Sequence, residues 1–433
     1  MHYYKRMHQV NTRSTRLSPL FRGNIETSNL WSTSDPSLPS LLGDDLFYVS
    51  DLSSQKWKDT VGRHVASSLP QQEVDHQEAI NELFVMEATH LRLLRVLTVF
   101  FYQRMFREKL LSREELALLF PNLPELLKIH SSLSESMKTL QEQGPIIHEI
   151  GHFMLSQFGG PAREEIQQAV TDFCVNQSKA LELIETKLQK DTRFRLIIQE
   201  AESNYQCRHH QLKDLILSEM QQLTNYPLLL DNIIKHTDGQ SSEHQKLCQA
   251  RDQCREILQC VKEIVKKAEN HHRLETYQMC LDTTSLQWTT NAQAAEFKNI
   301  DLRSQCLIHE GPLRWRLSKD KTVDLHVLLL ENLLLLLQRK DERLVLKCHR
   351  KRVWGSSGTW QTISPILKLN VVLIRSVATD PRAVFVICTS ELVPYLYELV
   401  ASTPSEKNMW MELLEEAVRR AKGNATLPSG SLR

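Results

Sequence analysis

Residues 211–237, QLKDLILSEMQQLTNYPLLLDNIIKHT, form the segment that decides the fold. Apolar side chains recur along it at the spacing of one face of an amphipathic helix. Pro227 falls inside this pattern, and we expect the helix to kink there because proline removes one backbone hydrogen bond. The segment therefore predicts a long, kinked helix that packs by one face against other helices.

The chain on both sides of this segment is also helical in pattern. Residues 242–281 form one very long periodic stretch, and residues 76–105 have apolar side chains near helical spacing at Ile80, Leu83, Phe84, Leu91, Leu94 and Val96. About five or six helices joined by short connections make a helical bundle. We predict an elongated all-α bundle over residues 74–283, preceded by a linker or short helix at residues 54–73.

The sequence period changes from helical to strand-like after about residue 284. Short β-rich runs alternate with turn residues: VDLHVLLL, LLLLLQ, RLVLKCH, LKLNVVLI, AVFVICT and YLYELVA. The last run is followed by TPSEKNMWMELLEEAVRRAKG, which has the pattern of an amphipathic helix. About seven strands capped by one C-terminal helix predict a small β-barrel or sandwich over residues 284–423. Residues 1–53 and 424–433 are predicted to be a largely disordered segment and a flexible tail.

The composition is that of an ordinary globular protein. The 433 residues include 53 Lys+Arg and 52 Asp+Glu, and this balance argues against nucleic acid as a partner because nucleic-acid-binding domains are strongly basic. The nine cysteines contain no C-x-x-C pair, which favours reduced thiols in the cytoplasm. No secretory signal is expected, because the N-terminus lacks an apolar run. The most apolar run, Leu325–Leu337, is too short for the roughly 20 residues of a membrane span.

One short motif suggests metal chemistry. Residues 148–152, HEIGH, match H-E-x-x-H, which on a helix can supply two zinc ligands and a general base. The extended motif requires Gly and His where Leu155 and Phe158 stand. We therefore predict two solvent-facing histidines on a bundle helix and no metal site, with a zinc metalloprotease as a remote alternative. No cofactor is expected either, since no Gly-rich phosphate loop occurs.

Several segments resemble one family. INELFVMEATHLRLLRVL (80–97) and QLKDLILSEMQQLTNYPLLLDNI (211–233) are similar to the first and third conserved boxes of Dbl-homology domains. HEGPLRWR (309–316) and Trp410 resemble the first strand and the characteristic tryptophan of pleckstrin-homology domains. AESNYQCR, VATDPRAVFVI and YELVASTPSEKNMW are most similar to the RGS-containing Rho exchange factors. The resemblance leaves no room for an RGS-like domain, so a short relative, a splice form or a fragment is expected.

This resemblance implies a guanine nucleotide exchange factor for Rho-family small GTPases of the RhoA type. Such a factor stabilises the nucleotide-free GTPase and needs no bond-making chemistry of its own. By resemblance, Glu87 contacts switch I of the GTPase. The other positions implied for the exchange face are His209, Lys213, Gln221, Asn225, Leu228 and Lys262.

The resemblance also implies two uses of the second domain. Phe385 and Ile387 match an apolar patch that binds activated RhoA, although the residues alone leave the barrel core an equal alternative. Arg316, Lys319 and Lys321 are a weak candidate for binding phosphoinositide lipid, with a solvated loop favoured. Recruitment from the cytoplasm to the plasma membrane would follow from lipid binding.

Some positions depart from the family pattern. Gln222 and Asn225 are neutral where the family has basic residues, and His209 also replaces a basic residue. Lys262 stands where the family has an asparagine, and lysine can donate hydrogen bonds but cannot accept them. Because these changes fall on the implied exchange face, a weak or non-catalytic GTPase-binding scaffold remains the second hypothesis.

Overall fold

The computed structural model describes residues 56–318, 321–352, 360–389 and 395–426. The predictions for residues 1–53 and 427–433, and for Lys319, lie outside this part of the chain. The α-helices of the described residues are α1 (Trp57–Thr60), α2 (Arg63–Ser67), α3 (Gln71–Val96), α4 (Gln103–Arg107), α5 (Arg113–Leu119), α6 (Leu123–Glu142), α7 (Gly151–Phe158), α8 (Gly160–Cys174), α9 (Gln177–Lys190), α10 (Thr192–Glu202), α11 (Leu212–His236), α12 (Ser242–Cys280), α13 (Thr284–Gln287), α14 (Ala292–Ala295) and α15 (Pro404–Thr426).

The predicted helical bundle is confirmed. Helix α11 packs against both α3 and α12, and α6 packs against α3. Helix α3 continues through a π-helical segment, Leu97–Tyr102, into α4. Pro227 is buried inside α11, which continues through it without a break. The described bundle has more helices than expected because short helices such as α5 and α7 separate the long ones.

The second module is a β-sandwich. Its strands are β1 (Leu281–Asp282), β2 (Leu307–Ser318), β3 (Lys321–Leu330), β4 (Leu333–Lys340), β5 (Arg343–Val345), β6 (His349–Arg352), β7 (Trp360–Ile363), β8 (Ile366–Lys368), β9 (Val372–Ser376), β10 (Ala383–Cys388) and β11 (Tyr395–Val400). The main sheet has the order β1-β5-β4-β3-β2-β11-β10-β9, and within the described residues its end strands β1 and β9 are not paired with each other. The sheet is therefore not a closed barrel. Short strands such as β5 and β8, which lack a full alternating pattern, raise the strand number above the seven expected.

The terminal helix α15 covers the core of the sandwich. Trp410 on α15 is fully buried in this core together with Trp315 and Tyr397. The helix extends to Thr426, so it continues past residue 423, the predicted end of the module.

The long helix α12 belongs to both modules. Leu274, near its C-terminal end, is fully buried in a core shared with the sheet. The Asn270 side-chain amide donates to the Leu307 carbonyl at 3.0 Å, and Arg273 pairs with Glu310 at 3.1 Å. The bundle and the sandwich are thus joined through one continuous helix.

Candidate functional site

A strip of polar and apolar side chains, exposed or half-buried, runs along one face of α11. Gln221, Asn225, Leu228 and Asn232 are spaced three or four residues apart, so they share this face. Leu228 is 62% exposed, which is unusual for a large apolar side chain on an otherwise packed helix. The Gln221 amide donates to the Asn225 side-chain oxygen at 2.9 Å. We call these four residues the α11 strip.

Helix α12 places a basic row beside the α11 strip. Asp231 accepts hydrogen bonds from Arg255 at 2.7 Å and from Arg251 at 3.3 Å. Lys262 is exposed and lies two helical turns beyond Arg255, on the same face of α12. Since the short connection between α11 and α12 makes them antiparallel, Lys262 is level with the N-terminal half of the strip. The structure therefore places Gln221, Asn225 and Leu228 on one face of α11, and it places Lys262 on the exposed face of the neighbouring helix α12 that also carries Arg255.

An acidic residue borders the other end of the strip. The Asn232 amide donates to a carboxylate oxygen of Glu82 on α3 at 3.2 Å, and the Glu82 side chain is exposed. Glu82, Val85 and Asn232 also line an open groove of ≈ 510 Å³. Glu82 was not among the residues implied by the resemblance, although it lies in the same box, residues 80–97, as Glu87.

Glu87 itself is not on this surface. Its side chain is 0% exposed, so the implied direct contact with a GTPase is wrong for this structure. One carboxylate oxygen accepts from His130 at 2.7 Å, and the other accepts from Gln222 at 2.8 Å and from the Tyr226 hydroxyl at 2.5 Å. Glu87 therefore joins α3 to α6 and α11 in the bundle core.

This core contact extends to a second carboxylate. Glu219 on α11 is 1% exposed, and its carboxylate is hydrogen-bonded to His90 at 2.9 Å and to His130 at 3.3 Å. The two carboxylates raise the pKa of His130 to about 10, against the opposing effect of burial. The facing imidazoles hold the pKa of Glu219 well below its usual range, although burial alone would raise it. We call Glu87, His90, His130, Glu219, Gln222 and Tyr226 the core network.

Two further predicted residues lie at the N-terminal end of α11. His209 is exposed and has φ +66°, next to Arg208 at φ +46°, in a left-handed turn that leads into the helix. Lys213 is exposed in the first turn of α11. Both are accessible to a partner, but no described contact ties them to the α11 strip.

The candidate patch in the second module faces away from its core. Val384, Val386 and Cys388 on β10 are buried in the sandwich, whereas Phe385 and Ile387 alternate with them and are half-buried on the outer face. Of the two open alternatives, the barrel core is therefore excluded for Ile387, and Phe385 packs against a small peripheral cluster.

Neighbouring strands extend this outer face. Ile387 is paired with Leu396 on β11 and with Leu373 on β9. Leu396 is 44% exposed and Leu373 is 37% exposed. Three apolar side chains thus form a row across β9, β10 and β11, which we call the outer row.

The candidate lipid site is weaker than its sequence suggests. The Arg316 guanidinium is ion-paired with Asp380 at 2.9 Å and with Glu398. Its charge is therefore already balanced on the sheet surface. Lys321 is exposed at the start of β3, and Lys319 lies outside the described residues.

The zinc-like motif is not built as a helix. Helix α7 begins at Gly151, so His148 precedes it and the two histidines do not share a helical face. The backbone N–H groups of Ile150 and Gly151 donate to the Glu243 carboxylate at 2.6 and 2.5 Å. His148 and His152 are exposed, as expected. Among the described residues, helices long and apolar enough to span a membrane are also absent.

Comparison with known proteins agrees with this arrangement. The RhoGEF domain family matches residues 79–262, and a PH domain family matches residues 291–419. Human Rho guanine nucleotide exchange factor 11 is 62% identical over 415 residues, which are 94% of this chain and 27% of that protein. Human Rho guanine nucleotide exchange factor 12 is 45% identical over 389 residues, or 89% of this chain and 25% of that protein. The chain thus spans about a quarter of the length of these relatives.

This chain covers almost the whole length of two solved fragments. The DH/PH fragment of PDZ-RhoGEF, crystallised in complex with human RhoA, is 63% identical with a TM-score of 0.79, covering 84% of this chain and 99% of the fragment. The DH/PH domains of p115-RhoGEF are 42% identical with a TM-score of 0.72, covering 84% and 99%. With its helical bundle, its sandwich and both domain matches, this chain belongs to the Rho guanine nucleotide exchange factors that contain a RhoGEF (Dbl-homology) domain followed by a PH domain.

Proposed function

We propose that this protein is a guanine nucleotide exchange factor for RhoA-type GTPases and that the α11 strip is its exchange face. The observation that supports this most strongly is the exposed Leu228, flanked by amides, in a bundle similar to one crystallised with RhoA. Glu82 at one end and Lys262 at the other supply charges of opposite sign. The same surface therefore offers an apolar anchor with polar groups around it.

Exchange requires a surface that binds the nucleotide-free GTPase more tightly than the loaded one. In this proposal, Leu228 packs against an apolar part of a GTPase switch segment. The side-chain amides of Gln221 and Asn225 form hydrogen bonds with the backbone of that segment. Glu82 takes the role that sequence analysis gave to Glu87, because it is the exposed carboxylate of that box. The protein makes and breaks no bond of its own; it lowers the barrier to nucleotide release, and each 1.36 kcal/mol is about tenfold in rate.

The outer row is proposed as a second GTPase surface. Exposed aliphatic side chains on three paired strands suit a partner with an apolar patch. A relative of this chain has been crystallised, through its DH/PH domains, with GTP-γ-S-activated RhoA. Binding of the activated GTPase would keep the factor beside the product of its own exchange reaction.

The alternative is a scaffold of the same fold that binds a GTPase with little turnover. The observation in its favour is Lys262, an exposed ammonium level with Gln221 and Asn225 where the family has an amide. Such a protein would bind RhoA without accelerating release of its nucleotide.

Release of a fluorescent nucleotide from Rho, Rac and Cdc42 proteins tests the proposal. We expect this chain to accelerate release from RhoA more than from Rac or Cdc42. Binding of RhoA without acceleration supports the scaffold instead. Neither binding nor acceleration on any of the three GTPases contradicts both.

A further inference from the structure

His130 lies between two buried carboxylates and contacts each with a different ring nitrogen. Its Nδ1 is 2.7 Å from Glu87 and its Nε2 is 3.3 Å from Glu219. A neutral imidazole has only one N–H, so one of these contacts would set a lone pair against a carboxylate oxygen. Both contacts are hydrogen bonds only when the ring, or a carboxyl group beside it, holds one additional proton.

The surroundings of His130 make this proton essential. Glu87 and His90 on α3 face the His130 ring, and Glu219 faces it from α11. The Tyr226 hydroxyl donates to Glu87, and the Cys174 thiol on α8 lies near Glu219. Burial raises the pKa of Cys174, so this thiol stays neutral. Among the described residues, every ion pair of the two carboxylates is with a histidine. Two buried anions without a cation would be strongly unfavourable.

We infer that protonated His130 is a positioning residue for exchange: it bridges carboxylates on α3 and α11 and thereby fixes the α11 strip against the rest of the bundle. This inference rests on the exchange activity proposed above. It adds a requirement for a proton in the core, at a residue that cannot touch the GTPase because it is 1% exposed.

The link from the core to the surface runs through adjacent positions of α11. Gln222 and Tyr226 donate to Glu87 from the inner face, and each is the immediate neighbour of a strip residue, Gln221 and Asn225. If the positive charge of His130 is lost, Glu87 and Glu219 repel each other. Helices α3 and α11 then separate in the part of α11 that presents the strip. A rigid exchange face depends on this part of the helix staying in one place.

The charge state can be measured directly in the whole protein. Nitrogen NMR of ¹⁵N-histidine-labelled protein, assigned by comparison with His130→Gln, reports whether both ring nitrogens carry protons. We expect the His130 ring to remain doubly protonated at pH 8, where an ordinary histidine is neutral. A neutral ring at pH 7 overturns the inference. So does stoichiometric zinc in the purified protein, since the ring nitrogens would then be metal ligands.

Nucleotide release tests the positioning role. His130→Gln should slow release from RhoA by about tenfold or more, the effect of one lost transition-state contact. The double variant His130→Gln with Gln222→Arg puts a permanent cation in place of the Gln222 amide, which donates to Glu87 at 2.8 Å, and should recover most of the rate. His148→Gln, an exposed histidine outside the network, is the matched control and should be unchanged.

The two variants keep the outcomes separable. If His130→Gln does not fold, the double variant should still fold and exchange because it restores the missing charge. A double variant that fails to fold, or is no faster than the single one, overturns the inference, as does full activity in His130→Gln. If the wild type itself does not act on RhoA, the proposed function fails, whereas the NMR result still decides the charge of His130.

Discussion

Glu82 and Glu87 lie little more than one turn apart on α3, but their surroundings are opposite. Glu82 is exposed and touches the α11 strip through Asn232, whereas Glu87 is sealed in the core network. One carboxylate is available to a partner, and the other stabilises the bundle. Substitution of each should therefore affect a different measurement.

Glu82→Ala should slow nucleotide release by about tenfold with little change in stability, because exposed side chains cost little to remove. Glu87→Ala should instead lower the free energy of unfolding by about 3–5 kcal/mol, since it leaves part of a buried charge network unpaired. Urea unfolding and release from RhoA, measured on both variants, distinguish these effects. A stable but inactive Glu87→Ala variant together with a fully active Glu82→Ala variant would reverse the assignment.

The core network also predicts how stability depends on pH. The folded pKa of His130, about 10, lies above its ordinary value of 6.5, so this stabilisation is complete below pH 6.5 and is lost as pH rises through 10. Between pH 7 and 8 the free energy of unfolding should fall by about 1.4 kcal/mol, the effect of one linked proton. The hydrogen bond to Glu182 also raises the pKa of His272, so the measurement is made in a His272→Gln background. Unchanged stability across this range contradicts a protonated His130.

The sequence contained enough information to separate the two glutamates. Glu87 lies on the same helical stripe as Leu83, Leu91 and Leu94, which predicts burial, and Glu82 lies off it. His130 and Glu219 likewise fall on the apolar stripes of their helices. Their partners could not be predicted, because contacts among α3, α6 and α11 depend on how distant segments pack.

At the scale of single elements, α11 has two faces with different tasks. Its outer face presents the α11 strip, and its inner face supplies Glu219, Gln222 and Tyr226 to the core network. Gln221, Asn225 and Leu228 were implied as site residues by the family resemblance, and their helical spacing agrees with the shared face that the structure shows. The start of α7 was not predicted, since a tertiary contact with Glu243 takes the N–H groups at its first turn.

Family residues can be restored on α11, in the turn before it and on α12. The triple variant His209→Arg, Asn225→Lys and Lys262→Asn should release nucleotide from RhoA faster than the wild type, because it returns two basic groups and one amide. One recovered contact of about 1.4 kcal/mol in the exchange transition state is a tenfold gain. The advantage should shrink at high salt, which screens exposed charges. A fast wild type that the triple variant does not exceed argues that the departures are tolerated, and the weak-exchanger hypothesis would then be dropped.

At the scale of the whole molecule, helix α12 connects the two proposed GTPase surfaces. Its Arg251 and Arg255 side chains contact α11 at Asp231, next to the α11 strip, and it enters the core of the sandwich at Leu274. The order of bundle and sandwich was predictable because the hydrophobic period changes near residue 284. Of the outer row, Ile387 was named from the sequence. Leu373 and Leu396 join it through strand pairing that the sequence does not specify.

Ile387→Glu tests the outer row. A charge in the middle of an apolar contact should weaken binding of activated RhoA by at least about tenfold. Nucleotide release from free RhoA in solution should be unchanged, because the α11 strip is untouched. Calorimetric titration with GTP-γ-S-loaded RhoA provides the first measurement and fluorescent release the second; equal binding by wild type and variant contradicts the second surface.

One paired rate measurement tests whether the α11 strip accelerates nucleotide release from RhoA. Leu228 and Leu196 are similarly exposed, at 62% and 60%, but Leu196 lies on α10, outside the strip. Burying a leucine at an interface contributes about 1.5–3 kcal/mol, so Leu228→Ala should slow release of labelled GDP from RhoA by about 10- to 100-fold. Leu196→Ala should match the wild type. Equal rates for Leu228→Ala and the wild type, with exchange otherwise intact, would contradict the account.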